Sequence, residues 1–259
     1  MSFGLWKNSA FNTRLIVRDG LGHETQTKYN ALGYRIVVTD ADGGVTCYSY
    51  DGLNRLVSTA YPDFAVQYAY DAAGKRTVMT DSVGVTTYVY DDLGRMVEVD
   101  DPVTGTVRYG YDLAGNRTHL TYPDGKVVTS TYDADERLVQ VEDWDGGLTT
   151  YGYDGAGQLV TTTLPNGVVT VNEYDDAGRL VRLTHTGAGG ARLSDYRYEL
   201  DGVGNQTRVV ETLLEGGVST TRVITNVHDP LDRLVSAAYS TGERFAYRYD
   251  AAGNRRTVT

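Results

Sequence analysis

Residues 88–95 read Tyr88-Val-Tyr90-Asp91-Asp-Leu-Gly94-Arg95, and close copies of this segment return along the chain. From Asp51 onward, the aspartates of successive copies lie 20, 20, 21, 21, 21, 21, 26, 28 and 21 residues apart. A nearly fixed period of this length is typical of a protein that repeats one small structural unit. The residues that define the repeat motif are Tyr50, Asp51, Tyr70, Asp71, Gly74, Tyr90, Asp91, Gly94, Arg95, Tyr111, Asp112, Gly115, Tyr132, Asp133, Tyr153, Asp154, Gly157, Tyr174, Asp175, Gly178, Arg179, Tyr249, Asp250 and Gly253.

The motif predicts a tight turn. An aspartate carboxylate can accept a hydrogen bond from the backbone N–H two residues later, and a glycine three residues after the aspartate supplies a positive φ. Asn54 takes the glycine position in one copy, and asparagine tolerates the left-handed region. Glu136 fits that position poorly, so we expect a different turn there.

A second turn signal, such as Pro123-Asp-Gly125, lies between successive motifs. Two turns of about four residues leave about thirteen residues per repeat, enough for two strands of ordinary length. The predicted fold class is therefore all-β, with about eleven serial antiparallel hairpins in one domain over residues 14–259 and a leading segment over residues 1–13. The two longest steps predict insertions in the loops at 187–190 and 215–217.

Strand alternation places both tyrosines of each motif on one face of the sheet, where they should form a ladder. The arginines that follow the turns either lie over these rings or are simply solvated. These arginines are Arg55, Arg95, Arg137, Arg179 and Arg233. Cys47 falls on the opposite face, where we expect a small buried residue.

Composition excludes several classes of protein. The formal net charge is −10, which argues against a general nucleic-acid binder, because such proteins need a cationic surface. No run of eighteen apolar residues is present to predict a membrane span, and residues 1–14 lack an apolar core of signal-peptide length. The single cysteine, Cys47, allows no disulfide within the chain.

No residue pattern predicts an active site. His23, His119, His185 and His228 have no metal-site spacing, and the chain lacks the Gly-x-Ser-x-Gly segment of many hydrolases. The stretches that begin at Asp40 and Asp143 resemble calcium loops only faintly, because the twelve-residue ligand pattern is incomplete. We therefore assign no catalytic, cofactor-binding or metal-binding residue, and we do not expect an enzyme.

The motif, its step of about 21 residues and the intervening turns resemble the YD repeat of Rhs proteins over residues 19–259. Similar repeats occur in the B and C components of bacterial ABC toxin complexes, in wall-associated contact-dependent toxins and in teneurins. The resemblance implies one curved, spiralling sheet that forms part of a hollow shell around a polypeptide, usually a toxic effector. It also implies flanking YD repeats or other shell segments as partners, and a secreted or cell-surface location.

The chain departs from that family where many members carry a self-cleaving core segment. Asp101-Pro102 and Asp229-Pro230 lie inside ordinary repeats, so the protease role is not carried over to them. We expect the chain to be a segment of a longer array. Two functions stay open: a non-catalytic wall that encloses an effector polypeptide, or a module whose tyrosines bind glycans or a cell-surface partner. Packed tyrosines favour the wall, and solvent-facing tyrosines favour sugar binding.

Overall fold

The computed structural model describes the backbone of residues 2–8 and 12–258 and the side chains of residues 14–214 and 216–256. Over these ranges the regular structure consists of 24 β-strands, without a helix. Every strand pairing within the two units described below is antiparallel, such as Val99 opposite Val107. The prediction of an all-β fold made of serial antiparallel hairpins is confirmed.

The first of two compact units comprises Met1–Asp112 and His119–Val127. Within it each strand pairs with the next one along the chain, from the first strand to the eleventh. The strands are β1 (Ser2–Asn8), β2 (Asn12–Arg18), β3 (Glu24–Tyr29), β4 (Arg35–Thr39), β5 (Val45–Tyr50), β6 (Leu56–Ala60), β7 (Ala65–Tyr70), β8 (Arg76–Thr80), β9 (Val85–Tyr90), β10 (Met96–Asp101) and β11 (Gly105–Tyr111). Strand β12 (Arg117–Thr121) contributes residues to both units.

The second unit comprises Leu113–Thr118 and Val128–Thr259. Its strands also pair in chain order. They are β13 (Val127–Tyr132), β14 (Leu138–Glu142), β15 (Leu148–Tyr153), β16 (Leu159–Thr163), β17 (Val169–Tyr174), β18 (Leu180–Thr186), β19 (Arg192–Leu200), β20 (Gln206–Glu215), β21 (Val218–His228), β22 (Leu234–Tyr239), β23 (Arg244–Tyr249) and β24 (Arg255–Val258).

Each unit is a single layer, because its described strands contact only their neighbours in sequence. Among the described side chains, the only buried apolar residues are Val209 and Ala237, which are 7% and 4% exposed. Such a sheet is stabilised by its ladder hydrogen bonds and by half-buried side chains rather than by a thick apolar core. The division into a leading segment and one repeat domain, and the curvature of the sheet, stay predictions.

The two faces of the sheet differ as the alternation of residues predicts. On β5, Tyr48 and Tyr50 are half-buried on what we call the tyrosine face, whereas Cys47 and Ser49 are exposed on the opposite face. The expected burial of Cys47 was wrong. Within its unit no described strand packs over the opposite face, so a small residue there stays in contact with solvent.

The two long repeats also differ from expectation. Their extra residues extend β18 to 7 residues and β19, β20 and β21 to 9, 10 and 11 residues, so the predicted insertions in loops were wrong. The added backbone is paired, and Glu215 lies opposite Val218 at the end of the ladder between β20 and β21. Gly216 and Gly217, with φ of 56° and 81°, form the two-residue connection that a tight hairpin requires.

Candidate functional site

The YD turns are the five-residue turns that begin at the motif aspartate, and residues 91–95 illustrate their geometry. Oδ1 of Asp91 accepts hydrogen bonds from the backbone N–H groups of Leu93 (3.0 Å) and Arg95 (2.8 Å). Oδ2 accepts from Nε of Arg95 at 2.8 Å. Gly94 has φ of 81° and donates its N–H to the Asp91 carbonyl at 2.8 Å. One carboxylate therefore organises the whole turn.

The same hydrogen bonds to Oδ1, from the second and fourth residues after the aspartate, recur in most YD turns of both units. They form at Asp51, Asp133, Asp154, Asp175, Asp201, Asp229 and Asp250. At Asp91 the backbone hydrogen bond from Arg95 is the main reason that the pKa of the carboxyl lies below its usual value. At Asp175 the side chain of Arg179 is the main reason for a lowered pKa. These carboxylates are held in the charged form that the turn uses.

Glu136 does not change the turn, so the expectation of a different geometry was wrong. Its φ is 62°, and its N–H donates to the Asp133 carbonyl at 3.1 Å as the glycines do elsewhere. The contacts of Asp133 with Asp135 and Arg137 impose the turn. The left-handed backbone of a non-glycine residue is therefore maintained at a cost of about 1–2 kcal/mol.

Three YD turns are fastened to the next one by their arginines, which are Arg55, Arg95 and Arg179. Nη1 of Arg95 donates to the main-chain oxygen of Asp112 at 2.9 Å, and the guanidinium lies 4.6 Å from the centre of the Tyr111 ring. Arg55 makes the same contacts with the oxygen of Asp71 at 2.9 Å and the ring of Tyr70 at 4.8 Å. The arginine thus joins two hairpins through charge, hydrogen bonding and ring contact.

The motif tyrosines make the reciprocal contact. Oη of Tyr111 donates to the main-chain oxygen of Met96 at 2.8 Å, one residue after the arginine of the preceding turn. Equivalent bonds run from Tyr50, Tyr70, Tyr90, Tyr132, Tyr153, Tyr174 and Tyr249 to the corresponding carbonyls. Consecutive hairpins are therefore linked by tyrosine and arginine in opposite directions.

The predicted tyrosine ladder is interleaved with cations. The prediction that arginines lie over the rings is confirmed for Arg55, Arg95, Arg137 and Arg233. A second series places Arg35 over Tyr48 at 4.5 Å and Arg76 over Tyr68 at 4.6 Å. Arg179 keeps its hydrogen bond of 2.9 Å to the oxygen of Asp201, but the tyrosine position of that repeat is occupied by Leu200.

The predicted motif residues lie together in each unit. The tyrosines end strands, the aspartates begin YD turns, and the glycines hold positive φ at the third residue after the aspartate. Sequence reasoning missed the carbonyls of Leu56 and Met96, because a backbone acceptor has no side-chain signature. It also missed Asp195. The one available signal was that this aspartate does not lie at the turn position of a repeat.

The described residues also bear on metal binding and on membrane insertion. No group of three or more His, Cys, Asp and Glu side chains within this part of the chain is arranged to hold a metal ion. Over the same residues, no helix has the length and hydropathy needed to cross a membrane.

Known structures share the fold at low sequence identity. The crystal structure of TcdB2-TccC3-Cdc42 aligns with 91% of this chain at a TM-score of 0.69 and 18% identity. That of TcdB2-TccC3-TEV aligns with 91% at a TM-score of 0.60 and 16% identity. The structure of the Photorhabdus luminescens Tc holotoxin pore, with the TccC3-D651A mutation, aligns with 96% of this chain at a TM-score of 0.50 and 15% identity. The chain spans 15%, 16% and 18% of those three chains.

Family models match the repeats directly. Residues 23–142 match the Teneurin YD-shell model, and residues 132–169 match the RHS Repeat model. No curated protein matches the chain. The two matched segments overlap at the Tyr132 motif, and together they include most of the regular repeats. The resemblance stated from the sequence is confirmed, because residues 23–142 are similar to the teneurin YD-shell and residues 132–169 to the RHS repeat.

Proposed function

We propose that this chain is a non-catalytic wall segment of an Rhs-type shell that encloses an effector polypeptide. The observation that carries the proposal is the fastening of one hairpin to the next, in which Arg95 reaches Asp112 and Tyr111 reaches Met96. The same contacts can join any number of consecutive hairpins, as a wall requires. Its partners are flanking YD repeats or other shell segments, and the assembly is secreted or at the cell surface.

The single-layer construction supports a role within a larger assembly. Each unit leaves both faces of its sheet without a covering layer of described strands, so its apolar side chains remain half-exposed. A sheet of this kind gains stability when neighbouring segments cover its faces and edges. The small share of the related toxin chains that this chain covers is consistent with a wall built from many more repeats.

Glycan binding is the second candidate. Guanidinium groups cover a face of several motif rings, including Tyr70 and Tyr111, which leaves less ring surface for a sugar. Tyr61 and Phe64 offer more ring surface, because their rings stack with centroids 4.6 Å apart and the residues remain 40% and 45% exposed. A glycan array with the double variant Tyr61→Ala, Phe64→Ala as control tests this candidate. Binding that the double variant loses would favour recognition over the wall.

The wall proposal is tested on the full-length polypeptide that contains this chain. Limited proteolysis read by mass spectrometry should show a segment outside the repeats that resists cleavage in the native protein and is cut after denaturation. Arg95→Ala should open the wall and increase cleavage of that segment. Arg108→Ala is the matched control, because Arg108 pairs with Glu98 within one hairpin on the opposite face. A non-repeat segment cut equally fast before and after denaturation would contradict enclosure.

A further inference from the structure

The lengthened strands β19–β21 carry a charged cluster on the opposite face of the second unit. Strand register places Asp195 opposite Thr184 on one side and Thr212 on the other. Asp195 is only 4% exposed, although its face has no covering layer of described strands. Its burial comes from the arginine side chains that surround it.

Three arginines share the Asp195 carboxylate. Arg182 contacts it through Nε at 3.0 Å and Nη2 at 2.8 Å. Arg192 contacts Oδ2 through Nη1 at 2.9 Å. Arg197 lies farther away, with Nε at 3.4 Å and Nη2 at 3.3 Å. The hydrogen bond from Arg182 is the main reason that the pKa of Asp195 falls to about 2.

The cluster has more positive than negative charge. Glu173 is its second carboxylate and contacts Arg182 at 3.1 Å, so three guanidinium groups face two carboxylates. The neighbouring pair of Arg208 and Glu199 adds no net charge. The side chains of Arg192 and Arg197 remain 56% and 60% exposed. A surplus of one cation therefore stands at the surface of a chain whose net charge is −10.

A cavity of about 270 Å³ opens beside Arg192. Arg192 lines it with the side chains of Leu193 and Leu214, and with the hydroxyl-bearing Thr212 and Ser219. The volume lies just below the range of sites for drug-sized ligands, so a smaller group fits. The lining combines one cation and two hydroxyl groups with two apolar side chains, which are the features that recognise a charged head and a short aliphatic tail.

We propose that this cavity binds an aliphatic carboxylate, with the carboxylate at Arg192 and the hydroxyl groups of Thr212 and Ser219, and the tail against Leu193 and Leu214. A surplus of one positive charge suits a monoanion better than a phosphate, which carries about −1.5 to −2 at neutral pH. Asp195 holds the guanidinium of Arg192 in place, so the site is organised before the ligand arrives. The same chemistry is offered by a free short-chain fatty acid and by the C-terminal residue of a polypeptide.

Isothermal titration of the chain with hexanoate, acetate and hexanol, and with a peptide that ends in leucine and its C-terminal amide, tests the site. We expect hexanoate or the free-acid peptide to bind with a Kd of about 1 mM or tighter. Acetate, hexanol and the amide should bind at least about tenfold more weakly, because each lacks the tail or the charge. A preference for hexanoate or for the peptide distinguishes the two sources of the carboxylate.

Variants locate the binding. Arg192→Gln should weaken it by about tenfold or more, since a charged hydrogen bond is lost. Arg208→Gln is the matched control, because Arg208 lies on the same face but does not line the cavity. If Arg192→Gln alters the circular dichroism spectrum, Leu193→Ala tests the site instead. This variant should reduce the preference for hexanoate over acetate. Equal binding of acetate and hexanoate, equal losses in both arginine variants, or no binding would each overturn the proposal.

Discussion

Nη1 of Arg95 donates a hydrogen bond of 2.9 Å to the main-chain oxygen of Asp112, the first residue of the next YD turn. Nε of the same side chain bonds to Asp91, 2.8 Å away within its own turn. The guanidinium is thus fixed at both ends, so that the position of one turn determines the position of the next. Arginine suits this double contact better than lysine, because the guanidinium offers several donors in a fixed plane.

Exchanging lysine and arginine at this position should change stability in opposite directions. Lys75 occupies the arginine position of its repeat and lies over the Tyr90 ring at 5.4 Å. Lys75→Arg should add the bonds to its own and the next turn, and stabilise the chain by about 1 kcal/mol. Arg95→Lys should destabilise it by about 1–2 kcal/mol. Urea unfolding followed by circular dichroism measures both, and equal effects of the same sign would refute the linkage.

The tyrosine hydroxyl contributes a separate, smaller effect. Tyr70→Phe removes the bond of 2.6 Å from Oη to the Leu56 carbonyl and should cost about 0.5–1.5 kcal/mol. Tyr68→Phe is a suitable comparison, because Tyr68 lies on the same strand and face and its ring contacts Arg76. Thermal unfolding should show a larger loss for the first variant. A larger loss for Tyr68→Phe would mean that the hydroxyl of Tyr70 does not fasten the hairpins.

Much of this fold follows from local rules, which explains what the sequence could predict. The Asp91 carboxylate and Gly94 determine their turn within five residues, and the alternation at Tyr48 and Tyr50 determines the face. The contacts between hairpins were less accessible, because the acceptor of Arg95 is a backbone oxygen 17 residues away. The cluster at Asp195 depends on strand register across β18–β20, which an aspartate outside the turn position does not reveal.

The two long repeats also show what the sequence could not predict. A step of 26 or 28 residues indicates that residues were added, but it does not distinguish a longer loop from longer strands. Leu213, in the added stretch, pairs with Ser194 on one side and with Thr220 on the other. The ladder therefore extends until Gly216 and Gly217 permit a tight reversal. The positions of the glycines alone suggested an insertion in a loop. In the structure the added backbone is paired, and the lengthened strands carry the charged cluster and the cavity.

The third prediction concerns the left-handed residue of the YD turn. Glu136→Gly should stabilise the chain by about 1 kcal/mol, because glycine adopts the observed φ of 62° without the steric cost of a side chain. Gly94→Ala should destabilise it by a similar amount, since φ there is 81°, a backbone conformation that residues with a side chain rarely adopt. Chemical denaturation compares the two. Destabilisation by Glu136→Gly would show that the glutamate side chain makes a contact that outweighs its strain.

The last prediction concerns pH and Asp195. Its pKa is about 2 in the folded chain, against an ordinary value of 3.8, so the unfolded state binds the proton more tightly. The ionised carboxylate therefore contributes about 2 kcal/mol of stability above about pH 4, and this contribution is lost as the pH falls through about 2.

Asp195→Asn removes that contribution at every pH. The difference in unfolding free energy between the wild type and this variant should shrink by about 1–2 kcal/mol from about pH 5 to about pH 2.5. Thr212→Val, which changes the residue opposite Asp195 without removing an ionisable group, should keep a constant difference from the wild type over that range. Urea unfolding at both pH values measures these differences in unfolding free energy. A pH-independent gap for Asp195→Asn would mean that the three arginines do not hold its carboxylate in the ionised form.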